Sequence, residues 1–143
     1  HIDMNKRSTN IPEMCFFELK SLEDYHKNMN DDNRFKLKQF INPELMKNAN
    51  IDLFDLVIVP GLAFDYDRQV MGKISRLGRG KGYYDVFLSK IPDCYTLAIG
   101  FNEQFLSLNE QIVQDNVSLP MADSQDVPID DYLCEKLIIA RRK

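Results

Sequence analysis

The plainest pattern in the chain is Leu56-Val57-Ile58-Val59, a continuous apolar run closed by Pro60-Gly61. A run of that kind between turn signals predicts a strand buried on both faces of a parallel sheet. Thr96-Leu97-Ala98-Ile99-Gly100 repeats the pattern. Between the two, Tyr84, Phe87, Leu88 and Ile91 recur at i, i+3, i+4 and i+7, the apolar stripe of a helix packed on a core. The order strand, loop, helix, strand predicts a βαβ unit with a right-handed crossover. Ligands of open α/β sheets bind beyond the carboxyl ends of the strands, which places Pro60 to Arg79 and the helix start at the functional edge.

Elsewhere the pattern is weaker. Cys15-Phe16-Phe17-Glu18-Leu19 is short and aromatic-rich and predicts a strand. Ser21, with Asp24 three residues on, predicts an N-cap and a short helix through about Asn28. Asn28 to Asn33 is a polar loop. Arg34 to Phe40 alternates basic and apolar residues and suits an edge strand or an extended loop, ended either way by Pro43. Asn102 to Asp115 is polar with a helical leaning, Pro120 and Pro128 bracket an acidic loop, and Leu137-Ile138-Ile139-Ala140 predicts a final strand. Arg141-Arg142-Lys143 is a basic tail expected to be solvated. The start, His1 to Asn10, is polar and aperiodic, an expression remnant, an internal fragment or a flexible lead. The expected organisation is one α/β domain over residues 1–143, with 1–14 flexible.

Composition narrows the class. A chain of 143 residues with 44% apolar and 28% charged residues suits one ordinary globular domain. Its net charge of −4 argues against a general nucleic-acid binder, which needs a broad basic surface. The three cysteines include no C-x-x-C pair and the chain has 2 histidines, so a structural zinc site is not expected; the thiols suit a reducing compartment. No apolar run approaches the ~20 residues of a transmembrane helix, and the start has no signal-peptide core. No membrane contact and an intracellular location are therefore expected.

Against that acidic whole, Lys73, Arg76, Arg79 and Lys81 form a basic cluster around Arg76-Leu77-Gly78-Arg79-Gly80-Lys81-Gly82-Tyr83-Tyr84-Asp85. Glycines free the backbone for positive φ, and clustered amides and cations suit phosphate oxygens. A helix beginning near Gly80 would add its unpaired N–H groups. The spacing fits no standard phosphate motif. Gly80-Lys81 is followed by Gly82, so the Walker A hydroxyl is missing, and G-x-G-x-G replaces the dinucleotide fingerprint G-x-G-x-x-G. By spacing alone the stretch is either an anion site or a structural connector. Asp85 also reads in two ways. It complements the helix dipole and pairs with Lys81 at i, i+4, or it holds a Mg²⁺ that bridges phosphates. Asp65 and Asp67 sit near the same edge, and Asp123, Asp126, Asp130 and Asp131 crowd the late loop.

Two stretches, Asp55-Leu56-Val57-Ile58-Val59-Pro60-Gly61-Leu62-Ala63-Phe64-Asp65 and Arg76 through Asp85, resemble the hallmark of the 5-formyltetrahydrofolate cyclo-ligase family. Phe40-Ile41-Asn42-Pro43, Tyr95 to Gln104, Leu119-Pro120 and Asp126-Val127-Pro128-Ile129-Asp130 extend the resemblance over about residues 35 to 140. It implies a three-layer α/β/α fold with a mainly parallel sheet, like the ribose-phosphate isomerase and CoA-transferase group. It implies ATP-dependent ring closure of 5-formyltetrahydrofolate to 5,10-methenyltetrahydrofolate through a phosphorylated formyl group, with release of ADP and phosphate. By position, Arg76, Gly78, Arg79, Gly80, Lys81, Gly82, Tyr83 and Tyr84 would line the ATP site. Arg79, Gly80, Lys81, Gly82 and Tyr83 would border the folate, Arg79 and Lys81 would be catalytic, and Asp85 and Asp126 would hold Mg²⁺. A monomer in the cytoplasm, or in mitochondria, is expected. The family's basic N-terminal helix and its folate-binding strand and loop are not found, so the resemblance implies an N-terminally incomplete chain. A non-catalytic nucleotide- or folate-binding relative, or an inactive fragment, is the alternative. A phosphosugar-binding domain would explain the loop but not its Tyr-Tyr-Asp ending.

Overall fold

A computed structural model describes residues 14–31, 36, 38–108, 118–120, 126–135 and 138–139. The described residues fall in two compact units, one within residues 15–53 and one from residue 54 onward together with Met14.

In the unit over residues 15–53, helix α1 spans Leu22–Asn28 and begins where the cap signal placed it. Ser21 is extended (φ −158°) and its hydroxyl accepts from the Asp24 amide at 3.1 Å, so one orphan donor of the first turn is satisfied. Strand β1 (Met29–Asn30) pairs antiparallel with β2 (Gln39–Phe40). Among the described residues of the alternating Arg34 to Phe40 stretch, Gln39 and Phe40 are strand. Lys36, at φ 51°, lies in the left-handed region, which is not strand backbone. The strand expected over Cys15 to Leu19 reduces to a single antiparallel bridge between Phe17 and Asn48, with the Phe17 ring edge-on to Phe40 at 4.9 Å.

The unit from residue 54 onward holds the remaining elements: β3 (Leu56–Val59), β4 (Ala63–Tyr66), β5 (Ile74–Leu77), α2 (Tyr83–Leu88), β6 (Tyr95–Ile99), β7 (Asp131–Leu133) and β8 (Ile138–Ile139). The sheet order is β3-β6-β7-β8. β3 and β6 are adjacent and parallel, with Leu56 opposite Tyr95 and Val59 opposite Ala98, so the strand–helix–strand unit forms as the periodicities predict. β7 joins β6 in parallel and β8 pairs antiparallel with β7. The sheet is thus mixed and mainly parallel, within an α/β arrangement. Leu137, Ala140, the basic tail over residues 141–143 and all of residues 109–115 lie outside the described residues.

Two expectations are corrected here. The stretch from Asp65 to Arg76 is not a loop: β4 and β5 form an antiparallel hairpin with Asp65 opposite Ser75 and Phe64 opposite Arg76. The β3 run is also not buried on both faces. Val57 and Val59 are buried, whereas Leu56 and Ile58 remain 49% and 55% exposed. A continuous apolar run cannot by itself distinguish a strand covered twice from one covered once. The covered face carries Val59, Ala98 and Tyr132 in register. Phe64 from the hairpin and Phe105 close over it, their rings 4.8 and 5.0 Å from that of Tyr132. All five of these side chains are fully buried.

Gly100, just past β6, marks how tightly this face is packed. A Cβ there would meet the Tyr132 Oη at 2.5 Å and the Gln104 Oε1 at 2.8 Å. Burial, then the nearby charges of Cys134 and Glu103, push the Tyr132 phenol up to about 12, so it stays protonated and donates to the Phe101 carbonyl at 2.6 Å. Gly100→Ala is expected to lower stability by about 1–3 kcal/mol through overpacking, read as a lower urea midpoint at unchanged slope. A midpoint equal to that of the parent chain would show that the ring has room to move.

Candidate functional site

The glycine stretch starts on a strand, not in a loop, and this changes what Arg76 does. Its side chain is 7% exposed, and its Nη2 donates to Asp85 Oδ2 at 3.0 Å. The guanidinium carbon lies 5.2 Å from the centre of the Tyr84 ring, in range of a cation–π contact. Gly78 leaves room for the guanidinium, since a Cβ there would come within 2.7 Å of Arg76 Nη1. The Arg76 Nε is buried and has no hydrogen-bond partner.

The helix begins at Tyr83 rather than near Gly80 and runs for 6 residues. Gly82 is its cap, in the left-handed region at φ 69°, and Gly80 turns the chain at φ 77°. Positive φ at both positions is the reason glycine stands there. Arg79 and Lys81 are exposed, and Tyr83 and Tyr84 are half-buried. Burial pushes the Tyr84 phenol up, with Arg76 opposing. Phe87 and Leu88 of the expected apolar stripe are buried on the helix, whereas Ile91, also buried, lies past its end at Leu88. The expected i, i+4 pair of Asp85 with Lys81 does not form. Lys81 precedes the helix, and the tertiary partner Arg76 takes the carboxylate instead.

Asp85 also accepts from the Val127 amide, at a long 3.4 Å. That contact brings the late acidic segment to the helix start. Asp67, Ser75, Arg76, Asp85 and Asp126 all line one cavity of about 70 Å³. The two carboxylates singled out for a metal are therefore brought to the same space. Among the described residues no three His, Cys, Asp or Glu side chains gather closely enough to hold a metal by themselves. A cation there would need oxygens from a bound phosphate, which is how Mg²⁺ is commonly held.

Asp65 and Asp67 separate. Asp67 lines the cavity while its carboxylate accepts from Ser75 Oγ at 2.6 Å and from the Val70 and Gln69 amides at 2.6 and 2.8 Å. Burial alone would raise it, but these hydrogen bonds outweigh burial and hold it below its ordinary 3.8. Asp65 instead accepts from the Tyr66 amide and from Ser107 Oγ. Asp123 lies outside the described residues. Asp130 and Asp131 are buried, Asp130 accepting from Lys73 Nζ at 2.5 Å, which removes Lys73 from the basic cluster. Ser75 and the Val127 amide were not singled out by sequence. Nothing local marks Ser75, and only the hairpin register places it beside Asp67.

Fold and site together define an α/β protein in which a basic glycine turn precedes a cavity lined by a buried arginine and several carboxylates. The family model described as the 5-formyltetrahydrofolate cyclo-ligase family matches residues 6–135, and the chain belongs to that family. Among curated relatives, 5-formyltetrahydrofolate cyclo-ligase of Mus musculus is 36% identical over 86 residues, covering 57% of this chain and 34% of that protein. The probable 5-formyltetrahydrofolate cyclo-ligase of Schizosaccharomyces pombe is 38% identical over 88 residues, covering 59% and 39%. A mitochondrial 5-formyltetrahydrofolate cyclo-ligase of Arabidopsis thaliana is 42% identical over 83 residues, covering 53% and 25%. The matches thus span between a quarter and two-fifths of the relatives' length.

Proposed function

We propose that this chain supplies one wall of the site of an ATP-dependent 5-formyltetrahydrofolate cyclo-ligase. The observation that carries the reading is the Arg76 to Asp85 stretch, which turns through Gly80 and Gly82 and leads into the cavity shared with Asp126. In this reading the glycine turn, with Arg79 and Lys81, binds the triphosphate, and Tyr83 offers ring area to the folate. Asp85 and Asp126 would hold Mg²⁺, which supplies charge neutralisation at the phosphate oxygens. Two carboxylates on one cavity fit that role. The formyl oxygen of 5-formyltetrahydrofolate attacks the γ-phosphorus and ADP leaves. N10 then attacks the activated carbon and loses its proton to solvent, closing the ring to 5,10-methenyltetrahydrofolate, and phosphate departs with the formyl oxygen. Such a sequence asks positioning and charge stabilisation of the protein rather than covalent help. The exposed sheet face at Leu56 and Ile58 suits a three-layer fold of the ribose-phosphate isomerase and CoA-transferase type, in which a further layer covers it. We assign the protein to cytoplasm or mitochondria, as a monomer. Among the described residues no helix is long and apolar enough to cross a membrane.

The short coverage of the relatives favours a second reading, a fragment or relative that binds without turning over. Equilibrium dialysis of the chain with Mg²⁺ and labelled ATP, run beside a near-UV assay for the methenyl product, tests both. Binding with Mg-ATP-dependent absorbance growth supports the enzyme, and binding without growth supports the second reading. Neither binding nor growth overturns the ATP site.

A further inference from the structure

Arg76 sits in a state that its own chemistry leaves incomplete. The guanidinium presents five donors in a planar fork, yet the side chain is 93% buried with its Nε unpaired. A buried N–H without an acceptor is costly, so a state giving that fork more oxygens is favoured when such oxygens arrive. Asp85 is compromised as well. Its Oδ2 is engaged by a cation at 3.0 Å, and its Oδ1 faces the Val127 amide at 3.4 Å. A divalent cation approaching this carboxylate meets a fixed positive charge beside it.

Resting on the nucleotide reading above, we propose that Arg76 is a latch on Asp85: it occupies the carboxylate and keeps a bare divalent cation out until a polyphosphate draws the guanidinium away. Both side chains line the same cavity, which gives the guanidinium a place where phosphate oxygens can meet it. Gly78 provides the clearance, since a Cβ at that position would collide with Nη1 at 2.7 Å. The Tyr84 ring gives the cation a face to rest on while it is latched. The consequence is an order of binding: the anion enters before or with the cation, and never after it.

The test is a titration of the chain with Mn²⁺ in the absence of nucleotide, following loss of the free-ion electron paramagnetic resonance signal. The parent chain is expected to bind weakly, and Arg76→Met to bind about tenfold tighter or more, the scale of one close charge removed. Arg76→Lys, which keeps a cation near Asp85, should stay at the parent affinity. Adding Asp85→Asn to Arg76→Met should erase the gain. Should Arg76→Met fail to fold by circular dichroism, Gly78→Ala replaces it. Its Cβ would collide with Nη1 and push aside the guanidinium whose Nη2 bonds Asp85, and a gain of about threefold is expected from partial release. Inorganic tripolyphosphate, with protein-bound Mn²⁺ read by equilibrium dialysis because the anion itself chelates the free ion, should raise the Mn²⁺ affinity of the parent chain by a larger factor than that of Arg76→Met. Parent and Arg76→Met, or parent and Gly78→Ala in its place, binding nucleotide-free Mn²⁺ equally overturns the latch. A gain in Arg76→Met together with no ATP binding by the parent supports the latch and overturns the nucleotide reading alone.

Discussion

Replacing Asp130 by Ala is expected to lower stability by about 3 kcal/mol and the melting temperature by roughly 10 °C, and to flatten the acid limb of the stability curve. The carboxylate is 9% exposed and works as a junction. It accepts from Lys73 Nζ at 2.5 Å, from the Thr96 amide at 2.8 Å and from the Thr96 hydroxyl at 2.9 Å, while its own amide donates back to that hydroxyl at 2.9 Å. Those contacts tie the hairpin to the start of β6 and the approach to β7. Truncation leaves the Thr96 amide buried without an acceptor, which alone costs about 1–3 kcal/mol, and it strips charge-assisted bonds besides. Lys73, one-third exposed, can turn to water and limits the loss. Against a total of about 5–15 kcal/mol for an ordinary domain, the remainder is decisive.

The pH dependence follows from the same contacts. Burial alone would raise the Asp130 carboxyl, but the Lys73 ammonium and the two Thr96 donors prevail and hold it at about 2, below its ordinary 3.8. The native state therefore binds this proton less readily than the unfolded chain. Its contribution is full above pH 3.8 and is lost as the pH falls through about 2. That interval corresponds to about 2 kcal/mol. Urea midpoints taken from pH 6 down to pH 2 should fall in the parent chain and lack this component in Asp130→Ala. Equal midpoints and equal acid limbs in the two proteins would show that the junction contributes nothing.

Asp130 also shows why part of the fold was not legible in the sequence. Asp130-Asp131 reads as an acidic loop because carboxylates are depleted in strands, yet Asp131–Leu133 is a central strand. The group that makes the burial acceptable is Lys73, 57 residues away, and no local pattern announces it. The same holds at the hairpin. Ala63-Phe64-Asp65-Tyr66 and Ile74-Ser75-Arg76-Leu77 pair across a turn whose ends carry no strong hydrophobic period, so the cross-strand register that buries Arg76 is invisible one strand at a time. Local features were read correctly because their causes are local. The Ser21 cap needs only Asp24, the α2 stripe only its spacing, and β3 and β6 only their apolar runs. Asp85 lies at the boundary between these cases. The helical spacing rule offered Lys81, and the fold supplied the buried Arg76 instead. Asp126 was singled out only by family resemblance, and the fold brings it to the cavity that Asp85 lines.

The combined replacement Arg79→Ala with Lys81→Ala is expected to weaken ATP binding by about 100-fold, and to lower any turnover by about 10²–10³, with a melting temperature within about 2 °C of the parent. Both side chains are exposed, so neither contributes a buried contact whose loss would unfold the chain. Their placement is what gives them weight. Gly80 takes φ 77°, and apart from its chain neighbours no heavy atom of the described residues lies within 4 Å of where its Cβ would be, so its glycine serves the backbone turn and not packing. The turn sets Arg79 and Lys81 on either side of Gly80, ahead of the helix that carries Asp85. With Arg76 and Lys73 committed to Asp85 and Asp130, these two are the exposed cations of the cluster, and in the proposed reading they would meet the phosphates. Their attraction is a solvent-side Coulomb term, so the parent affinity should fall as salt rises from 0.05 to about 0.5 M, and that of the double variant much less. Calorimetric titration with Mg-ATP at two ionic strengths reads both quantities. Affinity and salt slope unchanged in the double variant would remove the glycine turn from the nucleotide site, whatever the cavity beside it holds.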